Sequence, residues 1–169
     1  MIRMAGAVLL TAGSAVLGLG GVAHLEKHVR DLRGIINGLE AMKRVLTAHI
    51  EPLEGMLSEA AQDTDGRPKK LFEFCVEELK HQTGNFAALW NAALDTVPLC
   101  LDADDVSELR QVGAVLGRFD ADSQAAAFEQ TLGRLERKLE DAIEQRIKMG
   151  KVYGTTGISA GLLLTILLF

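Results

Sequence analysis

Both ends of this chain lack charge. Ala5 to Ala23 carries no charged residue, and neither does Val152 to Phe169. All 23 acidic residues, and every basic residue except Arg3, fall between His24 and Lys151. A helix as long as either end stretch rises roughly 27–29 Å, close to the ~30 Å hydrocarbon core of a bilayer. The pattern predicts a membrane hairpin: a transmembrane helix over 4–23, a polar domain over 24–151 and a second transmembrane helix over 152–169. Both termini then emerge on the face opposite the domain, which is the layout of a platform or scaffold before that of an enzyme.

Gly21-Val22-Ala23 loosely resembles a signal-peptidase site. The apolar stretch before it is longer than a usual signal core and is preceded only by Arg3, so it reads as a retained anchor. Lys27, Arg30 and Arg33 follow the first stretch, and Arg146, Lys148 and Lys151 precede the second. Orientation follows Lys and Arg near the span ends, so the domain is expected in the cytoplasm.

The middle region holds 17 basic residues (18 less Arg3) against 23 acidic ones. That balance excludes a nucleic-acid stripe, because binding phosphates needs a basic surface to displace counterions. Cys75 and Cys100 form no Cys-x-x-Cys pair and sit among apolar neighbours. They read as inert core thiols in a reducing compartment. No Gly-x-x-x-x-Gly-Lys-Ser/Thr phosphate loop and no Gly-x-Ser-x-Gly elbow occurs, so neither nucleotide hydrolysis nor acyl transfer is indicated. No cofactor is implied.

The domain is expected to be all-α. Leu25, Val29, Leu32, Ile36, Leu39, Met42 and Leu46 recur at helical steps up to about Ile50, and Pro52 restarts the chain as a short helix with Leu53, Met56 and Leu57. Asp63 to Pro68 has loop composition. A helix over Leu71–His81 points Leu71, Phe74, Cys75, Glu78 and Leu79 to one side. After a Gln82–Asn85 turn, a helix over Phe86–Thr96 turns Phe86, Leu89, Trp90, Ala93 and Leu94 inward. Asp104–Arg118 carries Val106, Leu109, Val112 and Leu116, with Phe119 just beyond. Asp120 or Asp122 is a candidate N-cap for the last helix. That helix bears Phe128, Leu132, Leu135, Leu139, Ile143 and Ile147 and runs on toward the second apolar stretch. About six helices with short links form an antiparallel bundle, flanked by the N- and C-terminal transmembrane helices.

His24 and His28 share a helix face, but the string His-Leu-Glu-Lys-His lacks the His-Glu-x-x-His order of a zinc site. They read as histidines at a membrane exit. Asp102, Asp104 and Asp105 are a candidate cation cluster, and more simply a solvated helix start. Trp90, the only tryptophan, reads as a core anchor, with a partner contact as the alternative. The charged face from Arg134 to Asp141 is either solvated or a docking surface. In the apolar ends, Thr11, Ser14, Gly18 and Gly21 share one face, as do Gly154, Gly157, Gly161 and Thr165. Small residues let helix backbones approach closely in lipid. They are expected to pack the two spans together, with self-association as a further outcome.

At this point the chain resembles the stage III sporulation protein AB family of endospore-forming bacteria. The resemblance is carried by Arg30-x-Leu32-Arg33, Pro52-Leu53 and the string Ala88 to Leu94. It is carried most specifically by Leu116-Gly117-x-x-Asp120-x-x-x-Gln124, followed by Leu132 and Leu135-Glu136, and the chain closes on Gly161 to Leu168 much as the family does. It departs at Met42-Lys43, Val45 and Ala48, where the family tends to show Leu-Glu, a second Glu and a Tyr. The resemblance implies a non-enzymatic subunit of the sporulation channel, in the mother-cell membrane around the forespore. Its domain is similar to the F-type platform proteins of type II secretion, and its partners would be a stage III sporulation protein AA-type ATPase and other channel subunits. Two other classes stand beside it: a two-span helical sensor that binds ligand, and a membrane-tethered enzyme.

Overall fold

In the computed structural model the described backbone comprises residues 2–48, 52–81, 85–116 and 121–168, with side chains described for 22–48, 52–81, 85–116 and 125–152. Six helices make up these residues: α1 (Ile2–Ala48), α2 (Leu53–Gln62), α3 (Gly66–His81), α4 (Phe86–Thr96), α5 (Ala103–Leu116) and α6 (Ala121–Leu168). The chain divides into two compact units, one of residues 1–27 with 141–169, the other of His28–Glu140.

The last helix, expected to run on toward the second apolar stretch, does so as α6, and the first apolar stretch and the helix expected from Leu25 are likewise one helix, α1. Gly150 and Gly154 do not interrupt α6, although glycine costs about 1 kcal/mol in a helix interior. Among the described residues no helix is long and apolar enough to cross a membrane. The side chains of Ser14, Gly18, Gly154, Gly157 and Gly161, on which the expected span packing rests, lie outside the described set.

The His28–Glu140 unit is built around α1. Val29, Leu32, Ile35, Ile36, Leu39, Ala41 and Met42 are all buried, one apolar face wide enough to seat several partners. Pro52, in extended conformation, starts α2, and its carbonyl accepts from Gly55 N at 2.9 Å. The α3 helix begins five residues before the predicted Leu71, at Gly66, whose φ of +68° suits a residue without a side chain. Pro68 therefore sits in the first turn of a helix, where a missing N–H costs nothing. The buried face of α3 is Pro68, Leu71, Phe72 and Cys75, whereas Phe74, Glu78 and Leu79 are only half-buried.

Asn85 caps α4 by accepting from Ala87 N at 3.0 Å, and the buried residues of that helix are Phe86, Leu89, Trp90, Ala93 and Leu94. The α5 helix is described as far as Leu116, and the expected Gly117 and Arg118 lie outside the described residues. Of the two proposed caps for α6, Asp122 falls inside the helix and Asp120 lies outside the described residues. On α6, Phe128, Leu132 and Leu135 are buried, Leu139 and Ile143 half-buried, and Ile147 is 50 % exposed. The core-facing register thus fades after Ile143.

Helices α1 and α3 pack closely in this unit. A Cβ on Gly38 would clash with the ring edge of Phe72, itself completely buried. Alanine in mid-helix is normally worth about 1 kcal/mol over glycine. Overpacking a tight core costs about 1–3 kcal/mol. Gly38→Ala is therefore expected to lower stability by up to about 2 kcal/mol, while Asn37→Ala on the exposed side stays within about 0.5 kcal/mol of the parent. Thermal unfolding of the two variants side by side checks this, and a stabilised Gly38→Ala protein would contradict the contact.

Candidate functional site

Two features of the His28–Glu140 unit combine charge with defined geometry. The first is a buried polar cluster around the 97–102 segment between α4 and α5. Asp31 on α1 is 2 % exposed. Its Oδ2 accepts from the Cys100 backbone N–H at 2.7 Å and faces Arg67 Nε of α3 at 3.0 Å. Arg67 also reaches the Pro98 carbonyl, at 3.5 Å. One turn earlier on α1, His28 Nδ1 lies 3.0 Å from the Cys100 carbonyl. Residue 100 is thus held through both its N–H and its C=O by side chains of a single helix.

Asp105, also 2 % exposed, lies at the start of α5. Its Oδ2 accepts from the Asp102 N–H at 3.1 Å, the reaching-back half of a capping box. Its Oδ1 faces Lys138 Nζ of α6 at 3.1 Å. Asp102 and Asp104 are exposed. The reading of all three carboxylates as one solvated helix start is thus corrected for Asp105: a cation from α6 and a helix-start N–H compensate its burial. His28 is corrected likewise. It is 7 % exposed and buried in the bundle, not displayed at a membrane exit.

The second feature is a surface groove of about 510 Å³ between α1 and α6. Its walls carry Glu40, Lys43 and Arg44 from α1 and Glu129, Leu132 and Glu136 from α6. Lys43 bridges the groove to Glu129 at 2.6 Å and holds that carboxyl below the usual carboxylate range. The charged face of α6 thereby divides. Arg134 and Lys138 turn toward α5, with Arg134 Nε 2.8 Å from Glu108 Oε2 but not aligned for a hydrogen bond. Glu136 lines the open groove.

The remaining predicted residues scatter. Trp90 is fully buried where α3, α4 and α5 meet, and its Nε1–H donates to the Leu109 carbonyl at 2.7 Å. Leu116 is buried at the end of α5. Gly117 and Asp120 lie outside the described residues, as does the side chain of Gln124. Cys75 is buried, and burial pushes its thiol up to about 12, so it stays protonated and unreactive at neutral pH. Sequence reasoning missed Asp31 and Arg67; the one signal was a carboxylate bordering the apolar stripe of α1.

Comparison with known proteins follows the same fold. Residues 3–169 match the family described as stage III sporulation protein AB. Stage III sporulation protein AB of Bacillus subtilis (strain 168) is 27 % identical over 173 residues, spanning 99 % of each chain. A solved structure of a stage III sporulation protein AB shares the fold with a TM-score of 0.68 at 22 % identity, over 72 % of this chain and 98 % of that one.

Proposed function

Since the chain belongs to the stage III sporulation protein AB family, we propose that it is a non-enzymatic platform subunit of the sporulation channel between mother cell and forespore. In this reading its apolar ends anchor it in the mother-cell membrane around the forespore, with the bundle in the cytoplasm. The bundle docks a stage III sporulation protein AA-type ATPase and couples it to the membrane ring. The observation that carries the reading is that the two helices walling the charged groove, α1 and α6, are the same two that continue into the apolar ends. A motor subunit seated in that groove would grip both anchors at once. The sequence holds no phosphate loop of its own, which suits a subunit driven by a separate ATPase.

The test is co-purification of the full chain with that ATPase, with and without nucleotide. Glu40 and Glu136 are exposed on the groove walls. Glu40→Lys/Glu136→Lys, two charge reversals on one surface, is expected to weaken capture about tenfold, roughly 1.4 kcal/mol in total, with thermal unfolding unchanged. Undiminished capture would move the docking surface elsewhere. Cysteine labelling at Asp65 and Ile2 checks the topology, and labelling of residue 65 from outside the cell would end the platform reading.

A further inference from the structure

A histidine facing a carbonyl has no choice of tautomer. The Cys100 oxygen 3.0 Å from His28 Nδ1 can only accept, so Nδ1 carries a proton and, in the neutral ring, Nε2 offers its lone pair. That lone pair looks at acceptors. Asp105 Oδ2 is 3.6 Å away, and one ligand atom each from His28, Asp102 and Asp105 lies within 4.8 Å of the others. His28 is 7 % exposed, and its Nε2 makes no hydrogen bond among the described residues. The buried imidazole and the buried Asp105 carboxylate face each other beside the exposed Asp102 carboxylate, and a cation held among them would add to the charge Lys138 already brings to Asp105.

The spacing between His28 Nε2 and Asp105 Oδ2 is near that of two ligands sharing an ion. A separation of 3.6 Å is longer than a normal hydrogen bond. It approaches the roughly 3.0–3.4 Å between neighbouring ligands on a divalent metal with bonds of about 2.1 Å. The supporting contacts also fit. An Nδ1–H held by a carbonyl is the usual way a protein orients a metal-binding imidazole. The Asp102 N–H on Oδ2 and Lys138 on Oδ1 fix the Asp105 carboxylate. Lys138 shares Asp105 and so weakens its hold on a second cation, which calls for a moderate rather than a very tight site.

The geometry points to a binding site for one divalent transition-metal ion, of the Zn²⁺ or Mn²⁺ class, formed by His28 Nε2 and the carboxylates of Asp102 and Asp105. One imidazole with two carboxylates suits such borderline ions better than Mg²⁺, with water completing the shell. The bound ion ties the start of α5 to α1, residues 74 and 77 positions apart in the chain. The site is independent of the platform reading, and its loss leaves the groove untouched.

The test uses the full chain in detergent, stripped with EDTA and titrated separately with ZnCl₂, MnCl₂ and MgCl₂ by calorimetry and thermal unfolding. One equivalent of Zn²⁺ or Mn²⁺ is expected to bind and raise Tm, with no comparable response to Mg²⁺. His28→Gln is expected to lose at least about tenfold in affinity. Because His28 is buried, Asp102→Asn is the second variant. Asp102 is exposed, so this variant should unfold like the parent in EDTA yet lose the metal response. Co²⁺ in place of Zn²⁺ should give visible bands that vanish in both variants. No stoichiometric binding overturns the proposal, as does binding that both variants retain. A stability that follows pH through the histidine range with no metal response also overturns it, leaving a proton alone between His28 and Asp105.

Discussion

Trp90→Ala is expected to remove about 3–5 kcal/mol of stability. The side chain is fully buried, and its ring lies 6.1 Å from Phe72 and 6.0 Å from Phe86, centroid to centroid. Those three aromatics join α3 to α4, and the Nε1–H bond to Leu109 joins α4 to α5. Truncation opens a large cavity and leaves the Leu109 carbonyl without its indole donor. A folded protein has only about 5–15 kcal/mol in hand. The loss should appear as a fall in Tm on the order of 10 °C, followed by circular dichroism, and as faster proteolysis. Trp90→Phe keeps much of the volume and loses the N–H bond, so its cost should be nearer 1–2 kcal/mol. A Trp90→Ala protein as stable as the parent that merely lost a partner would turn the residue into an interface anchor.

The second large effect lies at Arg67. Arg67→Met keeps the length of the side chain and removes the cation beside Asp31. Asp31 is 2 % exposed and cannot turn to water, so the variant leaves a buried carboxylate supported only by the Cys100 N–H, at up to about 3–5 kcal/mol. The reverse deletion is milder, because the Arg67 side chain is 33 % exposed and can be solvated. Adding Asp31→Leu to Arg67→Met should recover roughly half the loss, since replacing both partners of a buried pair by apolar groups is often neutral. Full recovery is not expected. The Cys100 N–H also loses its Asp31 acceptor, at about 1–3 kcal/mol. Denaturant unfolding of the single and double variants gives the comparison, and additive losses would contradict a paired Asp31–Arg67.

Where spacing alone decides a helix, the sequence was a good guide. The boundaries and inward face of α4 follow directly from Phe86, Leu89, Trp90, Ala93 and Leu94 between Asn85 and Pro98. The start of α3 was hidden, because Asp-Gly-Arg-Pro is turn-like by composition yet Pro68 serves in a first helical turn. The buried aromatic of that helix is Phe72 rather than the expected Phe74, and its fit against Gly38 depends on a contact no local pattern encodes.

The polar cluster was less legible still. In the sequence His28 belongs to the histidine pair after the first apolar stretch, and Asp102 and Asp105 to the acidic start of a helix. Only tertiary folding brings them together. The charged groove has the same origin, since its two walls come from opposite ends of the bundle sequence.

The lone indole carries one more consequence. Because the chain has a single tryptophan, held dry between two phenyl rings, the protein contains its own fluorophore at the joint of three helices. Its emission should be blue-shifted in the native protein and redden only when that joint opens. A partner that merely settles on the outer surface leaves the colour alone, whereas one that pries the helices apart announces itself without any added dye.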